Sequence, residues 1–465
     1  MNNTDTGLIL DSWLALFPPC LSILLAITTR QVYVAIFAGI MAGSILRSQD
    51  LFTGITGSFN AIADTFHSSS SVRSLIFIFM IGAIINVMKQ SGGVEALIYH
   101  LSQKRKMVKS KASAQLITFS FGFLMCLEGT GSMMLVGLVG RPLFNQFNIS
   151  REKLAFVANC TGAPLAWLVP FSGAGIFLTS LITDQVENGT LSEQPMHYVF
   201  AALPYQIYTI AILTLVPLLA LKKHDFSSPD SSETTLPNAG HVSDHQPQSS
   251  VLAILLPIVI LLAGISTIAY ASGDGNILAG DISSAIYWSG FVSLIGSGLY
   301  FCINQIKVEQ YVEWCVQGMK DMLPAVIILT LAFSLSRITG DLGTGKYLAS
   351  FVSKELPIWL VPASVFVICV LISFSTGSSG ATVSIMTPVI IPLAVGVGVP
   401  VPLVIAAIIS GAVFGDQSSP ISDSVIVASS AADCPPEKHF ATQLPYTLAV
   451  ALLSLAFYFV LGFIA

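Results

Sequence analysis

The chain has 465 residues, of which 54% are hydrophobic and only 10% charged, with a formal net charge of −5. A soluble domain carries about 25% charged residues, so this composition excludes a water-soluble globular protein and puts most of the surface in lipid. The scattered acidic balance leaves no basic patch for nucleic acid, and the seven cysteines show no metal-ligand spacing.

The opening MNNTDTGLILD is acidic, and Pro18 and Pro19 interrupt the apolar run that follows it. This start reads as a first spanning helix and not as a cleaved signal. A membrane helix takes about 20 apolar residues. Runs of that kind lie near 10–29, 31–48, 72–90, 198–221, 251–271, 284–303, 322–338 and 442–464. Four more apolar stretches, near 113–143, 153–182, 357–394 and 402–432, are interrupted by Gly, Pro, Ser and Thr. Two amphipathic stretches, near 51–66 and 308–321, read as interfacial.

Loop charges orient these segments. KRKMVKSK (104–111) and Lys222-Lys223 belong on the cytoplasmic side, whereas TDQVENGTLSEQP and SGDGNILAGD hold no Lys or Arg and belong outside. The expected fold is an all-α polytopic membrane protein of twelve hydrophobic segments, with about ten spanning helices plus two re-entrant hairpins at 113–143 and 357–394. Twelve plain spans is the competing count. Arg141 lies near a predicted boundary and reads as snorkelling to the interface.

Residues 222–250, rich in Ser, Pro and Asp, read as a polar cytoplasmic linker between a first transmembrane repeat at 1–221 and a second at 251–465. The halves align: Thr130-Gly131 with Thr376-Gly377, Pro142 with Pro388, Thr161-Gly162-Ala163 with Ser410-Gly411-Ala412, and Pro170 with Pro420. An odd number of crossings per half makes this an inverted-topology repeat. Paired discontinuous helices at the midplane of such a repeat are the architecture of secondary transporters.

The chemistry concentrates in FGDQSSPISDSV (414–425). Asp416 and Asp423 flank Pro420, which removes an N–H and unwinds a turn beside Ser418 and Ser419. Ionisable groups at this depth are costly and mark ion or substrate paths. Asp416, Ser418, Ser419, Ser422 and Asp423 offer the hard oxygen ligands that Na⁺ takes, with the two carboxylates as the metal ligands. A buried carboxylate can also exchange that cation for a proton. The matching region NCTGAPLAWLVPFSGAG (159–175) has no carboxylate. Asn159, Thr161 and Ser172 supply neutral oxygens there, and Gly173 stands where Asp423 stands in the other half. The hairpin tips, Glu128-Gly-Thr130-Gly131-Ser132 and Ser375-Thr376-Gly377-Ser378-Ser379-Gly380, could turn backbone N–H groups toward a substrate.

FGDQSSPISDSV resembles the FGD…SPISDTT signature of the NhaC-type sodium/proton antiporter family. NISREKLAFVANCTGAPLAWLVPFSG and IGAIINVMKQSGGVEAL resemble two further segments of that family. The resemblance spans both halves. It implies cation-coupled exchange, with Asp416, Ser419, Pro420, Ser422 and Asp423 in a second-half site and Thr161, Pro164, Pro170 and Ser172 in a first-half site. The chain departs from the family pattern at Leu127-Glu128-Gly129-Thr130, Asn159 and Ser424-Val425, so its first half has lost negative charge.

The expected function is therefore a Na⁺- and/or H⁺-coupled antiporter with alternating access, in the cell (inner) membrane. The alternative is a Na⁺-coupled carrier of an amino acid or organic carboxylate. Expected partners are the bilayer, Na⁺ and/or H⁺, a small amino acid or organic acid, and a second copy in a homodimer, with no nucleic acid and no cofactor beyond the coupling ion. No HExxH, GxSxG or GxxxxGK[ST] is present. An enzyme and a passive channel are the remote readings.

Overall fold

The computed structural model describes residues 13–29, 31–93, 96, 110–123, 129–222, 250–275, 280–344, 347–350 and 357–464. Among these the only regular secondary structure is helical. The first half contains α1 (Phe17–Thr29), α2 (Val32–Ser48), α3 (Leu51–Asp64), α4 (Ser69–Gln90), α5 (Lys111–Gly122) and α6 (Gly129–Gln146). It continues with α7 (Arg151–Cys160), α8 (Ala163–Leu168), α9 (Gly173–Glu187), α10 (Pro195–Ala202) and α11 (Ile207–Leu221). The second half contains α12 (Leu252–Ser272), α13 (Ile282–Ile303), α14 (Val308–Asp321), α15 (Leu323–Asp341) and α16 (Val361–Thr376). It ends with α17 (Ser379–Val397), α18 (Val401–Ser418), α19 (Asp423–Ala432) and α20 (Pro436–Ile464).

By length and apolarity, nine segments of the described residues could cross a bilayer, or ten if α10 and α11 are one bent span. The run 198–221 was expected as one helix. It bends by 49° instead, at Leu203-Pro204-Tyr205-Gln206, where the proline withholds a backbone N–H. The arms of the second hairpin, α16 and α17, are 16 and 19 residues long, and the stretches Ile358–Thr376 and Ser379–Val397 each reach spanning length. The amphipathic stretches are helices, α3 and α14. Most of the linker, 223–249, lies outside the described residues.

The halves interlock. α2 and α3 pack on α15, while α13 and α14 pack on α4. α6 packs on α19, and α17 packs on α9. Each of these contacts of one half thus has its counterpart in the other. Lipid gives helices no hydrophobic reason to associate, so close backbone approach has to supply the attraction. Gly82 on α4 and Gly318 on α14 show this. A Cβ on Gly82 would lie 2.4 Å from the Gly318 carbonyl oxygen, and a Cβ on Gly318 would lie 2.1 Å from that of Gly82.

Arg141 is held by the other half. Its Nε donates to the Ala431 carbonyl (2.8 Å) and its Nη2 to the Ser430 carbonyl (2.6 Å). Both carbonyls lie in the last turn of α19, where that of Ser430 also accepts the Asp433 N–H (3.1 Å), and a cation there complements the helix dipole. Arg141 therefore ties α6 to the broken span of the other half.

Candidate functional site

α18 ends at Ser418 and α19 starts at Asp423, with Pro420 in the gap. The Ser419 N–H still reaches the Gly415 carbonyl (2.9 Å), and the Ser422 N–H reaches the Ser419 carbonyl (3.2 Å). Ser422 caps α19 by accepting from the Ser424 N–H (3.1 Å). The break is thus a defined four-residue turn.

The tip of the second hairpin lies against this turn. Gly377 has φ +67°, and a Cβ there would come within 3.1 Å of the Ile421 carbonyl oxygen and the Ser422 Cα. Both the left-handed conformation and the close approach call for glycine. Ser378 then caps α17, accepting from the Ala381 N–H (3.3 Å).

Asp416 sits where tip and break meet, 7% exposed. Its Oδ1 accepts from the hydroxyls of Ser422 (2.5 Å) and Ser424 (2.8 Å). Its Oδ2 accepts from the hydroxyl (2.6 Å) and the backbone N–H (3.4 Å) of Ser379. An ionised carboxylate offers about four lone-pair positions, and here neutral donors occupy them. The Ser379 hydroxyl in turn accepts from Trp167 Nε1 (3.0 Å). Trp167 belongs to α8 in the first half, so the relay Trp167–Ser379–Asp416 crosses the seam between halves.

Asp416 also borders a half-open cavity of about 330 Å³ that both halves line. Both hairpin tips reach it, through Gly129 and Thr130 on one side and Ser378, Ser379 and Gly380 on the other. Ser424 adds a hydroxyl. The remaining lining is apolar, from α4, α6, α8, α9 and α15.

The expected acidic pair is not brought together. Asp423 is exposed in the first turn of α19, and the hydroxyls around Asp416 do not involve its carboxylate. Ser419 and Ser422 are buried in the break, and Ser418 is buried with its hydroxyl unbonded. In the first hairpin, Gly131 and Ser132 lie in the first turn of α6, and Ser132 donates to the Gly122 carbonyl (3.0 Å), tying the two arms together. Thr376 donates to the Ile372 carbonyl (2.9 Å). Glu128 lies outside the described residues.

The first-half residues Asn159, Thr161, Pro164 and Ser172 do not line the cavity. Thr161 ends α7 and donates to the Ala158 carbonyl (2.8 Å). Pro164 opens α8. Ser172 caps α9, accepting from the Gly175 N–H (2.9 Å) and donating to the Ala166 carbonyl. Asn159 heads a separate buried network. Its Nδ2 faces the Gln417 carbonyl (3.2 Å), Gln443 Oε1 (3.0 Å) and His439 Nε2 (3.3 Å). Gln443 Nε2 donates to the same Gln417 carbonyl (2.5 Å), and Tyr208 donates to Gln417 Oε1 (2.7 Å). This network clamps α7, α11, α18 and α20 together.

Sequence reading missed Trp167, Ser424 and the Asn159 partners Gln417, His439 and Gln443. Ser424 stood inside the motif. His439 lay outside the expected span 442–464, but α20 starts at Pro436 and buries it completely.

A family model described as the Na⁺/H⁺ antiporter family matches residues 192–463. An uncharacterized protein of Haemophilus influenzae is 30% identical, over 97% of this chain and 91% of its own length. The malate-2H(+)/Na(+)-lactate antiporter of Bacillus subtilis is 30% identical over 39% of this chain and 38% of its own. The solved YdaH transporter of Alcanivorax borkumensis shares the fold, with a TM-score of 0.59 at 17% identity over 88% of this chain and 89% of that one. With a buried carboxylate held between a hairpin tip and a broken helix, and with these matches along its length, the chain belongs to the Na⁺/H⁺ antiporter family and is a multi-pass membrane transporter, not an enzyme.

Proposed function

We propose that this antiporter is driven by Na⁺ and/or H⁺ across the cell (inner) membrane, works by alternating access, and uses Asp416 as its cation-binding carboxylate. The observation that carries this reading is the setting of Asp416. It is a buried carboxylate ringed by the hydroxyls of Ser379, Ser422 and Ser424, and none of the described residues lining its cavity is basic. Holding an unpaired charge out of water costs several kcal/mol, which a bound Na⁺ or proton would offset. The hydroxyls can turn their lone pairs to a metal cation or donate to the bare carboxylate, so the cluster suits both states.

The cross-packing of each broken span on the other half's hairpin supports rocking of the halves about Asp416 as the access change. No cofactor beyond the coupling ion is required. The test is flux in proteoliposomes with Na⁺ and pH gradients imposed separately. Flux that follows neither gradient, or that survives Asp416→Asn unchanged, overturns the reading. Cavity size supports a second component: about 330 Å³ far exceeds a bare cation and leaves room for an organic solute.

A further inference from the structure

We infer that the solute is an organic monocation, a primary ammonium carried on an apolar body, and that it competes with the coupling cation for Asp416. This rests on the reading of Asp416 as the coupling site and deepens it by naming the solute class. Three observations carry it.

The first is charge. The cavity contains one carboxylate, and its other polar lining groups are hydroxyls, backbone and the Trp167 indole N–H, which is already given to Ser379. No Arg, Lys or His lines it among the described residues. A solute carboxylate would stand beside Asp416 with no basic side chain among the described residues to neutralise it, only the partial charge of helix N-termini, and a second buried anion disfavours both. An ammonium meets the opposite situation. It can donate to Asp416 and to the free lone pairs of the Ser379 and Ser424 hydroxyls, both of which face the cavity.

The second is shape and polarity. The bulky apolar walls come from Ile81, Ile85, Met133, Phe177 and Met322, with the Trp167 ring beside Ser379. These side chains supply no hard oxygen ligand, so a metal ion can be held only at the carboxylate edge. The remaining space, enough for roughly ten water-sized groups, is apolar and suits a hydrocarbon or aryl body.

The third is exclusivity. Asp416 is the single charged group of the cavity among the described residues. A cation at Asp416 and an ammonium at Asp416 cannot coexist without leaving one charge uncompensated. Binding of one therefore requires departure of the other, and this makes exchange obligatory.

The test is binding to the purified full-length protein, by thermal shift and titration calorimetry, with phenethylamine, 3-phenylpropionate and L-phenylalanine, each with and without NaCl. Phenethylamine is expected to bind, Na⁺ is expected to weaken it in proportion to Na⁺ occupancy, and 3-phenylpropionate is expected not to bind. Asp416→Asn is expected to weaken the amine at least about tenfold. Ala325→Phe, which fills the apolar side of the cavity, is expected to abolish amine binding and to leave the Na⁺ response intact, so the assignment stays testable if Asp416→Asn fails to fold. Binding of 3-phenylpropionate or L-phenylalanine as tight as that of phenethylamine overturns the assignment. So does a Na⁺ response with no amine binding, and in that case the coupling reading stands. Amine binding indifferent to Na⁺ and pH overturns the competition for Asp416 and removes the coupling reading with it.

Discussion

The second half breaks its span once, between α18 and α19, and buries a carboxylate at the break. The first half breaks its span twice, between α7, α8 and α9, and buries amides, hydroxyls and the contact with His439. The aligned residues explain part of this contrast. Thr161-Gly162 ends a helix, whereas its counterpart Ser410-Gly411 lies inside continuous α18. Asp416 falls opposite the Ala166-Trp167 pair, and the Trp167 indole reaches over to the serine that binds Asp416. The repeat therefore conserves a way to interrupt helices while the two interruptions do different jobs. One holds a charge among hydroxyls that can change partners. The other is locked by directional amide bonds to α18 and α20.

That contrast can be broken most severely at the charge. Asp416→Asn is expected to reduce cation-driven exchange to the level of protein-free liposomes. Adding Asn159→Asp to that variant is expected to restore nothing, because Asn159 faces amide and imidazole groups and not the cavity. Recovered flux in the double variant would show the halves to be interchangeable and sink the comparison.

The next largest effect should be structural. His439→Ala leaves a void and strips a partner from the Asn159 and Gln443 amides. It is expected to cost about 2–3 kcal/mol of stability, read by unfolding in detergent, while exchange per folded molecule changes little. Ser424→Ala should behave in the opposite way. Removing one hydroxyl from the carboxylate is expected to weaken Na⁺ activation roughly tenfold, about 1.4 kcal/mol, with an unchanged unfolding midpoint. The smallest effect is expected for Asp423→Asn, which alters an exposed group and should move Na⁺ activation by less than about twofold. A tenfold change there would restore the acidic pair.

Sequence alone determined the solvent and the weak points of the helices. Scarce charge and apolar runs demanded lipid, while Pro420 and the Gly-Ser tips marked where helices stop, because these depend on the residue itself and its near neighbours. The carboxylate Asp416 was legible for the same reason, as an ionisable group inside an apolar run. Which groups meet was decided only by tertiary structure. Trp167 and Ser379 stand 212 residues apart in the chain, and Asn159 stands 280 from His439. Asp423, two turns on from Asp416 if the helix continued, is exposed instead, because one helix ends at Ser418 and a new one starts at Asp423 with Ser422 and Ser424 turned to Asp416. Local pattern sets where a helix ends. The direction in which the next one leaves, and what it faces, follows from how distant helices pack.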